Sequence, residues 1–332
     1  MTIQKLSIYL TCILLSFNVG INVWAKPTKT NRCIENRARF DIGSGQSKLV
    51  LAKVDRCKNI ILEILLEDAV KISIKENVDL NSNKISDEMM LEGLSKLKSL
   101  KDKLSSFSVK DYKGVATEVY RRALNGQNYL DKINRELGLN VELIDQSKET
   151  ILGKKAVRDI AKIKNNAIVW DIGGGSMQIS QLTSDPTISE YGGRLASVSF
   201  KEKILGEVKK NKSLKSPNPM TTAEIEASIL LAKNLATEEL KNYRPLLMSS
   251  PKIIGIGGLH KGLMNKVKTS YITTDLLKGY IEKLAGLSDS DFGGDYASSE
   301  ISNAVLVYGF MQAANWQSYE VLVVNLAHGL IL

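Results

Sequence analysis

The sequence predicts an α/β protein with two domains of similar design, each containing a mixed β-sheet. The main observation is a repeated hairpin pattern, in which a strand ends in Asp-Ile-Gly, a turn of small residues follows, and a second strand returns. This pattern occurs at 38–52 and again at 168–179. The second observation is that apolar runs of strand length alternate with amphipathic stretches after each hairpin. We therefore place one domain at 26–150 and the other at 151–332, with the last helix able to pack back on the first domain.

The first domain is predicted to follow the order βββαβαβα. After the hairpin, an apolar run at 60–66 and an alternating stretch at 70–74 complete the antiparallel part of its sheet. Ser86 and the two acidic residues after it begin a helix whose apolar residues fall on one face. The remaining predicted elements are a strand at 113–117, a helix at 119–137, a strand at 141–144 and a helix at 147–160.

The second domain repeats this pattern around its own hairpin. Strands at 167–172 and 177–182 flank the glycine turn. Thr221 and Glu224 form a capping box that starts a helix ending near 242. The other predicted elements are a strand near 187–192, a helix near 197–208, a strand at 252–256, helices near 273–285 and 300–314, and a last strand at 321–324.

The turn of the second hairpin contains three consecutive glycines, Gly173, Gly174 and Gly175, followed by Ser176. Glycine allows the backbone to adopt positive φ and to approach a ligand closely, so that its amides can point at an anion. Asp171, at the end of the preceding strand, stands where a metal or a water could bind. A single turn of this kind is also compatible with an ordinary hairpin, but its repetition favours phosphate binding.

A third glycine turn follows the apolar run at 253–256 and reads Gly-Ile-Gly-Gly-Leu-His at 255–260. Three such elements in this order resemble the actin, sugar kinase and heat-shock ATPase superfamily. The resemblance implies two ribonuclease H-like, actin-like ATPase domains with a phosphate-binding cleft between them. In that arrangement the two hairpins would face each other across the cleft.

Within that superfamily the chain more closely resembles the exopolyphosphatase and guanosine pentaphosphate phosphohydrolase (Ppx/GppA) family. The segment at 116–125, Ala-Thr-Glu-Val-Tyr-Arg-Arg-Ala-Leu-Asn, is similar to that family's Thr-x-x-x-Arg-x-Ala-x-Asn stretch. The segment at 141–149 is similar to its strand and glutamate loop, and the likeness continues at 194–200 and 325–332. The resemblance implies a hydrolase that uses Mg²⁺ and an activated water to remove terminal phosphate from inorganic polyphosphate or guanosine pentaphosphate.

The resemblance also implies roles for individual residues. Glu149 would be the catalytic base, although without the resemblance it would read as an ordinary exposed glutamate at a helix start. Asp41 and Asp171 would bind Mg²⁺. Arg121 and Lys48 would contact phosphate oxygens, and both are also compatible with surface charges. The expected phosphate-binding residues of the three turns are Gly43, Ser44, Gly173, Gly174, Gly175, Ser176, Gly257 and Gly258.

Two positions of the second hairpin depart from the family pattern. Met177 and Gln178 stand where the family usually has Thr-Glu, so that an acidic metal-site position is neutral. We therefore expect weaker Mg²⁺ binding, and a catalytically weakened protein that binds phosphate polymers or nucleotides is one alternative. A nucleoside polyphosphatase related to the apyrases, acting outside the cytosol, is the other alternative.

The first 25 residues have the pattern of a secretory signal peptide. Lys5 precedes a long apolar stretch, and Val23-Trp-Ala25 precedes a polar sequence, as at a cleavage site. An uncleaved membrane anchor is the alternative, although polar residues and a glycine weaken the later half as a span. We expect a secreted or periplasmic protein with no membrane span after signal cleavage.

The chain of 332 residues carries a formal net charge of +9. Its length suffices for two domains with their own cores. The positive charge suits a polyanionic phosphate substrate, because it raises the local concentration of anions. The basic residues lack interleaved aromatic residues and any nucleic-acid motif, so we do not expect nucleic-acid binding. A homodimer is compatible with the sequence.

Cys33 and Cys57 flank the first hairpin. If Asp41 pairs with Leu49, the register places the two cysteines opposite each other beyond the strand ends. In an oxidising compartment they could then form a disulfide. Two free thiols are the alternative, because one bulge would change the register.

Overall fold

Two mixed β-sheets organise the chain, and each begins with one of the predicted hairpins. The computed structural model describes residues 32–183, 190–249 and 252–332. The part from Cys33 to Leu332 forms one compact unit. The predicted α/β class with two mixed sheets is confirmed.

The first sheet has five strands in the order β3-β2-β1-β4-β5. Strands β1, β2 and β3 pair antiparallel, whereas β4 and β5 run parallel to β1. The strands are β1 Ile34–Ile42, β2 Gln46–Asp55, β3 Ile60–Lys71, β4 Val109–Ala116 and β5 Val141–Leu143. The helices of this part of the chain are α1 Ile74–Leu80, α2 Asp87–Asp102, α3 Glu118–Arg122, α4 Gly126–Leu137 and α5 Gln146–Ala161.

The second sheet has six strands in the order β10-β11-β9-β6-β7-β8. The strands are β6 Ala167–Ile172, β7 Met177–Leu182, β8 Tyr191–Gly193, β9 Ile253–Ile256, β10 Tyr271–Thr273 and β11 Ser318–Val321. The helices are α6 Ser197–Lys203, which continues as a π-helical turn over Ile204–Val208, α7 Thr222–Leu240, α8 Arg244–Leu247, α9 Gly258–Val267, α10 Thr274–Ile281, α11 Asp289–Phe292, α12 Glu300–Ala314 and α13 Leu326–Gly329. Short 3-10 turns cover Glu282–Leu284 and Ala297–Ser299.

Side-chain caps set the starts of three helices that the sequence predicted. The Ser86 hydroxyl accepts a hydrogen bond from the Met89 amide at the start of α2. Asp145 does the same for the Lys148 amide at the start of α5. Thr221 begins α7 through a capping box. The cap on α5 matters for function, because it fixes the first turn of the helix that carries Glu149.

The end of the chain lies on the first sheet. Ala327 and Ile331 pack in one apolar cluster with buried residues of β2. Arg37 donates a hydrogen bond of 2.8 Å to the Ile331 carbonyl, and Arg39 one of 2.7 Å to the Leu330 carbonyl. These contacts join the C-terminal segment to β1 and β2, the strands that form the first hairpin.

The predicted register of the first hairpin is wrong by one residue. Asp41 pairs with Lys48 rather than with Leu49. The reason is the turn, in which the Gly43 amide donates to the Gln46 carbonyl, so that Ile42 pairs with Ser47. The structure nevertheless joins Cys33 and Cys57 in a disulfide with a Cα–Cα distance of 5.3 Å.

Several element boundaries also differ from those predicted. Instead of two strands at 60–66 and 70–74, one strand, β3, runs from Ile60 to Lys71 and the helix α1 begins at Ile74. The helix expected at 119–137 is broken into α3 and α4. A Cβ at Gly126 would overlap the Tyr120 carbonyl, so the chain needs glycine at that break. Strand β11 begins at Ser318, three residues before the prediction.

Two predictions concern parts of the chain outside the described residues. The signal peptide at 1–25 lies wholly outside them, and the strand predicted near 187–192 lies partly outside them. Of the helices in the described ranges, none combines the length and the apolar content that a membrane crossing requires.

Candidate active site

The turns of the two hairpins lie against each other. A Cβ built on Gly174 would lie 3.2 Å from the Cβ of Ser44. The third turn joins them, because a Cβ built on Gly258 would lie 3.1 Å from Oε1 of Gln46 in the first hairpin. All three turns line one cavity of about 560 Å³. The three glycine-rich segments that the sequence singled out therefore surround a common space.

The two hairpin turns have the same backbone hydrogen bond. The Gly43 amide donates to the Gln46 carbonyl at 3.0 Å, and the Gly173 amide donates to the Ser176 carbonyl at 2.8 Å. Within the described ranges, the amides of Ser44, Gly45, Gly174 and Gly175 donate no hydrogen bond to another backbone group. Unpaired amides on turns that border a cavity suit an anion with several oxygen acceptors, such as a phosphate.

Two carboxylates end the first strands of the two hairpins. Asp41 accepts a hydrogen bond of 2.9 Å from the Lys48 ammonium. Burial alone would lower the pKa of Lys48, but the carboxylates of Asp41 and Asp171 outweigh it and raise that pKa above its ordinary value. Burial raises the pKa of Asp171 to about 7; Lys48 opposes this effect, while Asp41 and Glu149 add to it. The site therefore favours a cation near Asp171.

These residues fit a magnesium ion held by few protein ligands. Asp41 and Asp171 offer hard carboxylate oxygens, and Mg²⁺ is commonly bound by one or two carboxylates with water and substrate phosphate completing the shell. Gln178 pairs directly with Asp171 across the second hairpin, so the third side chain at this place is neutral. In the described part of the chain, one group of three metal-type side chains lies close together, and two of its members are the disulfide cysteines.

Glu149 lies in the first turn of α5 and is only 4% exposed. Its carboxylate accepts hydrogen bonds from Arg121 at 2.6 Å, from the Ser176 hydroxyl at 3.2 Å and from the Gln178 amide at 3.3 Å. Burial raises the pKa of Glu149, and the Arg121 guanidinium opposes that rise. A buried carboxylate of raised pKa beside a phosphate-type turn has the properties of a general base.

Arg121 has two partners in this structure. Its guanidinium contacts the Glu149 carboxylate and the Ile144 carbonyl. It therefore orients Glu149, and its predicted contact with phosphate stays a prediction. The same holds for Lys48, which is paired with Asp41.

One residue of the site had no signal in the sequence. Glu118 is the first residue of α3, it is 6% exposed, and a Cβ built on Gly175 would overlap its carboxylate. It occupies one of the unspecified positions in the Thr-x-x-x-Arg segment, so the resemblance assigned it no role. Its place beside the second turn follows from the short helix α3 and the close approach of glycine backbone.

Comparison with known proteins gives the following relatives. A model described as the Ppx/GppA phosphatase family matches residues 50–292. The bifunctional 3-dehydroquinate synthase/phosphatase of Fusobacterium nucleatum subsp. nucleatum is 26% identical over 231 residues. That match covers 67% of this chain and 32% of the relative, so the chain spans about a third of the length of this curated relative.

Three solved structures share the fold. A Ppx/GppA family member from Aquifex aeolicus has a TM-score of 0.66 and 20% identity, covering 90% of this chain and 96% of its own. An exopolyphosphatase from Cytophaga hutchinsonii has a TM-score of 0.69 and 15% identity, covering 89% and 96%. An exopolyphosphatase-like protein has a TM-score of 0.73 and 17% identity, covering 90% and 97%. At these identities the structures establish the two-domain actin-like fold.

Proposed function

The chain belongs to the Ppx/GppA phosphatase family, and we propose on that premise that it removes the terminal phosphate from inorganic polyphosphate or guanosine pentaphosphate. The observation that carries this proposal is the buried carboxylate of Glu149, which accepts hydrogen bonds from Ser176 and Gln178 on the second hairpin. A proton acceptor is thereby held beside the turns whose amides suit a phosphate. Hydrolysis of a phosphoanhydride needs these two features together.

The substrate would lie in the cavity between the three glycine turns. The unpaired amides of Ser44, Gly45, Gly174 and Gly175 would donate hydrogen bonds to the oxygens of the terminal phosphate. Gly257 and Gly258 border the same cavity and would support the next part of the substrate. This binding fixes the terminal phosphorus against the buried base, and such positioning is the main contribution of proteins to phosphoryl transfer.

The water that attacks would be activated by Glu149. The carboxylate would accept a proton from that water as the new phosphorus–oxygen bond forms and the bond to the bridging oxygen breaks. Arg121 and Ser176 hold the carboxylate in one orientation. Magnesium bound by Asp41 and Asp171 would supply positive charge that neutralises the phosphate oxygens.

Gln178 supports a second candidate function, that of a phosphate-binding protein with weak turnover. The neutral amide stands opposite Asp171 and donates to Glu149, whereas a glutamate at this position would add a negative charge. One fewer anionic ligand weakens the affinity for a divalent cation. Both candidates, the phosphohydrolase and the phosphate-binding protein, would bind the same substrates. They differ only in the rate at which the substrate is hydrolysed.

The lining of the cavity supports a third candidate, a nucleoside polyphosphatase. Besides the glycine turns, the cavity is lined by Asn265, Asn303 and Tyr296. Amide groups can form hydrogen bonds with a nucleobase, and an aromatic ring can stack on it. A nucleotide would then place its base there and its phosphates at the glycine turns.

We further propose that the protein works outside the cytoplasm as a secreted or periplasmic protein. The disulfide between Cys33 and Cys57 supports an oxidising compartment. The expected signal peptide agrees with this location. The homodimer stays a prediction.

Phosphate release tests these candidates. Residues 26–332 should be assayed with Mg²⁺ on polyphosphate, guanosine pentaphosphate and ATP, beside the variant Gln178→Glu. We expect release from the wild type, fastest with polyphosphate or guanosine pentaphosphate, and a lower Mg²⁺ requirement in Gln178→Glu. Fastest release from ATP would favour the nucleoside polyphosphatase. Tight binding of all three substrates without release would identify the binding protein.

A further inference from the structure

Glu118 places a carboxylate where the two phosphate-binding turns meet. A Cβ built on Gly175 would overlap the Glu118 carboxylate and would lie 3.1 Å from the Ser44 hydroxyl. Glu118 therefore lies between the second turn and the first. Its side chain is buried, and in the described part of the chain no donor bonds its Oε2 atom. A buried carboxylate oxygen without a donor is unfavourable, so its presence at this place calls for a reason.

The other oxygen of this carboxylate belongs to a chain of ion pairs. Oε1 of Glu118 lies 3.3 Å from Nε of Arg122, and Arg122 also contacts Asp79. Asp79 accepts a hydrogen bond of 2.6 Å from Lys75, which donates to Glu202 at 3.0 Å. The ion pairs hold the Glu118 side chain from the side away from Gly175. They explain how the carboxylate is positioned, and they leave Oε2 facing the turns without a partner.

The same region holds the donors that a substrate phosphate needs. Gly175 and Ser44 contribute two of the unpaired turn amides, and both border the cavity. A phosphate bound by these amides would bring its negative oxygens close to Oε2 of Glu118. Like charges at such a distance in a buried site repel strongly. The carboxylate and the phosphate therefore compete for one place.

We propose that Glu118 weakens phosphate binding at this site, because its buried carboxylate repels the terminal phosphate of the substrate from the amides of the two turns. This inference rests on the proposed function of the cleft as a phosphate site. Glu118 lowers the affinity of the site for every phosphate oxyanion, including the orthophosphate product. The consequence is that orthophosphate leaves readily, while a longer substrate keeps its affinity through additional contacts along the cavity.

The inference predicts an unusual result, a substitution in the site that strengthens binding. Glu118→Gln keeps the size of the side chain and removes its charge. Orthophosphate binding, measured by isothermal titration calorimetry with Mg²⁺, should become at least about tenfold tighter than in the wild type. Tripolyphosphate should gain a similar factor. In turnover assays KM and the inhibition constant of orthophosphate should fall together, which a merely structural role would not produce.

Two further variants complete the test. Glu118→Asp keeps the charge but withdraws it from Gly175 by one methylene, so it should also bind orthophosphate more tightly, and it serves if Glu118→Gln does not fold. Glu226→Gln changes an exposed glutamate of α7 in the same way and should leave binding unchanged. Unchanged or weaker orthophosphate binding in the folded Glu118 variants would overturn the inference.

The experiment separates this inference from the proposed function, because binding is measured without turnover. If the wild type hydrolyses its substrate and Glu118→Gln binds no tighter, the inference fails and the proposed function stands. If no hydrolysis is found but Glu118→Gln binds orthophosphate more tightly, the inference stands and the enzymatic function fails.

Discussion

The partners of each buried carboxylate indicate which one can act as a base. Glu149 is buried, and burial raises the pKa of its carboxyl above the ordinary value of a glutamate. The Asp41 carboxylate forms an ion pair of 2.9 Å with the Lys48 ammonium, so it already neutralises a positive charge. The second carboxylate oxygen of Glu149 accepts hydrogen bonds from two neutral donors, Ser176 and Gln178. This difference in partners supports a proton-accepting role for Glu149 and a cation-binding role for Asp41.

The sequence located these side chains but not their surroundings. Asp41 and Asp171 follow apolar strands and precede glycines, and this local pattern could be read from neighbouring residues. Glu149 came from the resemblance to a family. The buried position of Glu118 could not be predicted, because it depends on the approach of Gly175, which lies 57 residues away in the chain. Contacts of this range have no local sequence pattern.

His260 should make the stability of the protein sensitive to acid. It is fully buried against Trp170 and Tyr319, and burial lowers its pKa to about 3. Because the folded state has the lower pKa, its stabilising effect is complete above about pH 6.5. The effect is lost as the pH falls from there toward 3, at about 1.4 kcal/mol per pH unit.

The variant His260→Phe tests this effect, since it keeps an aromatic ring and removes the titrating group. Urea unfolding should be compared at pH 7.5 and pH 5.5. We expect the wild type to lose about 1.4 kcal/mol more stability than His260→Phe between these two pH values. An equal loss in both proteins would contradict the assigned burial of the imidazole.

At the scale of elements, the second hairpin was predicted to the residue, and the first was predicted with a wrong register. Strands β6 and β7 have the predicted bounds because apolar alternation continues up to the glycines on both sides. In the first hairpin, the turn of Gly43 to Gln46 decides the register, and sequence does not reveal how many residues a turn takes. The break between α3 and α4 was missed because the amphipathic pattern continues through Gly126.

The third turn requires glycine at position 257. Gly257 has a φ of +90°, and a Cβ there would lie 2.5 Å from Oδ1 of Asp171. Gly257→Ala should therefore strain the backbone by about 1–3 kcal/mol and displace the Asp171 carboxylate. We expect lower stability in chemical denaturation and at least about a tenfold fall in turnover with Mg²⁺.

Gly262 provides the matched control on the same element. It lies within helix α9, and a Cβ there would meet nothing within 4 Å. Gly262→Ala should raise stability by about 0.5–1 kcal/mol and leave turnover unchanged. If the two alanine variants behaved alike, the special role of Gly257 would be refuted.

At the scale of the whole molecule, the segments that form the first hairpin are tied at several places. The disulfide joins Cys33 to Cys57 at the open end of the hairpin. Arg37 and Arg39 bind the carbonyls of the C-terminal residues, and Ala327 packs on β2. The turn of this hairpin contributes Ser44 to the cleft. These connections therefore help to hold that turn in position, although none of them lies in the cleft. The cysteine pair was anticipated from the sequence, which also allowed the last helix to pack back on the first domain, whereas no sequence pattern indicated the hydrogen bonds of Arg37 and Arg39.

Removal of the disulfide should destabilise the folded protein without changing its chemistry. The double variant Cys33→Ser with Cys57→Ser opens a loop of 24 residues. Loop-closure entropy predicts a loss of about 3.5 kcal/mol in the free energy of unfolding. Urea unfolding with and without a reducing agent measures it, since only the wild type should respond to reduction. If the reducing agent did not change the free energy of unfolding of the wild type, that result would contradict the presence of the disulfide.

The most direct test of the account is the turnover of Glu149→Gln. Orthophosphate release from polyphosphate with Mg²⁺ should fall at least about 100-fold relative to the wild type, because general bases contribute roughly 10²–10⁴ to the rate. Substrate binding should remain, because the turn amides are unchanged. Glu142→Gln, an exposed glutamate on β5, should keep full activity. Release by Glu149→Gln at the rate of the wild type would contradict the assignment of the base.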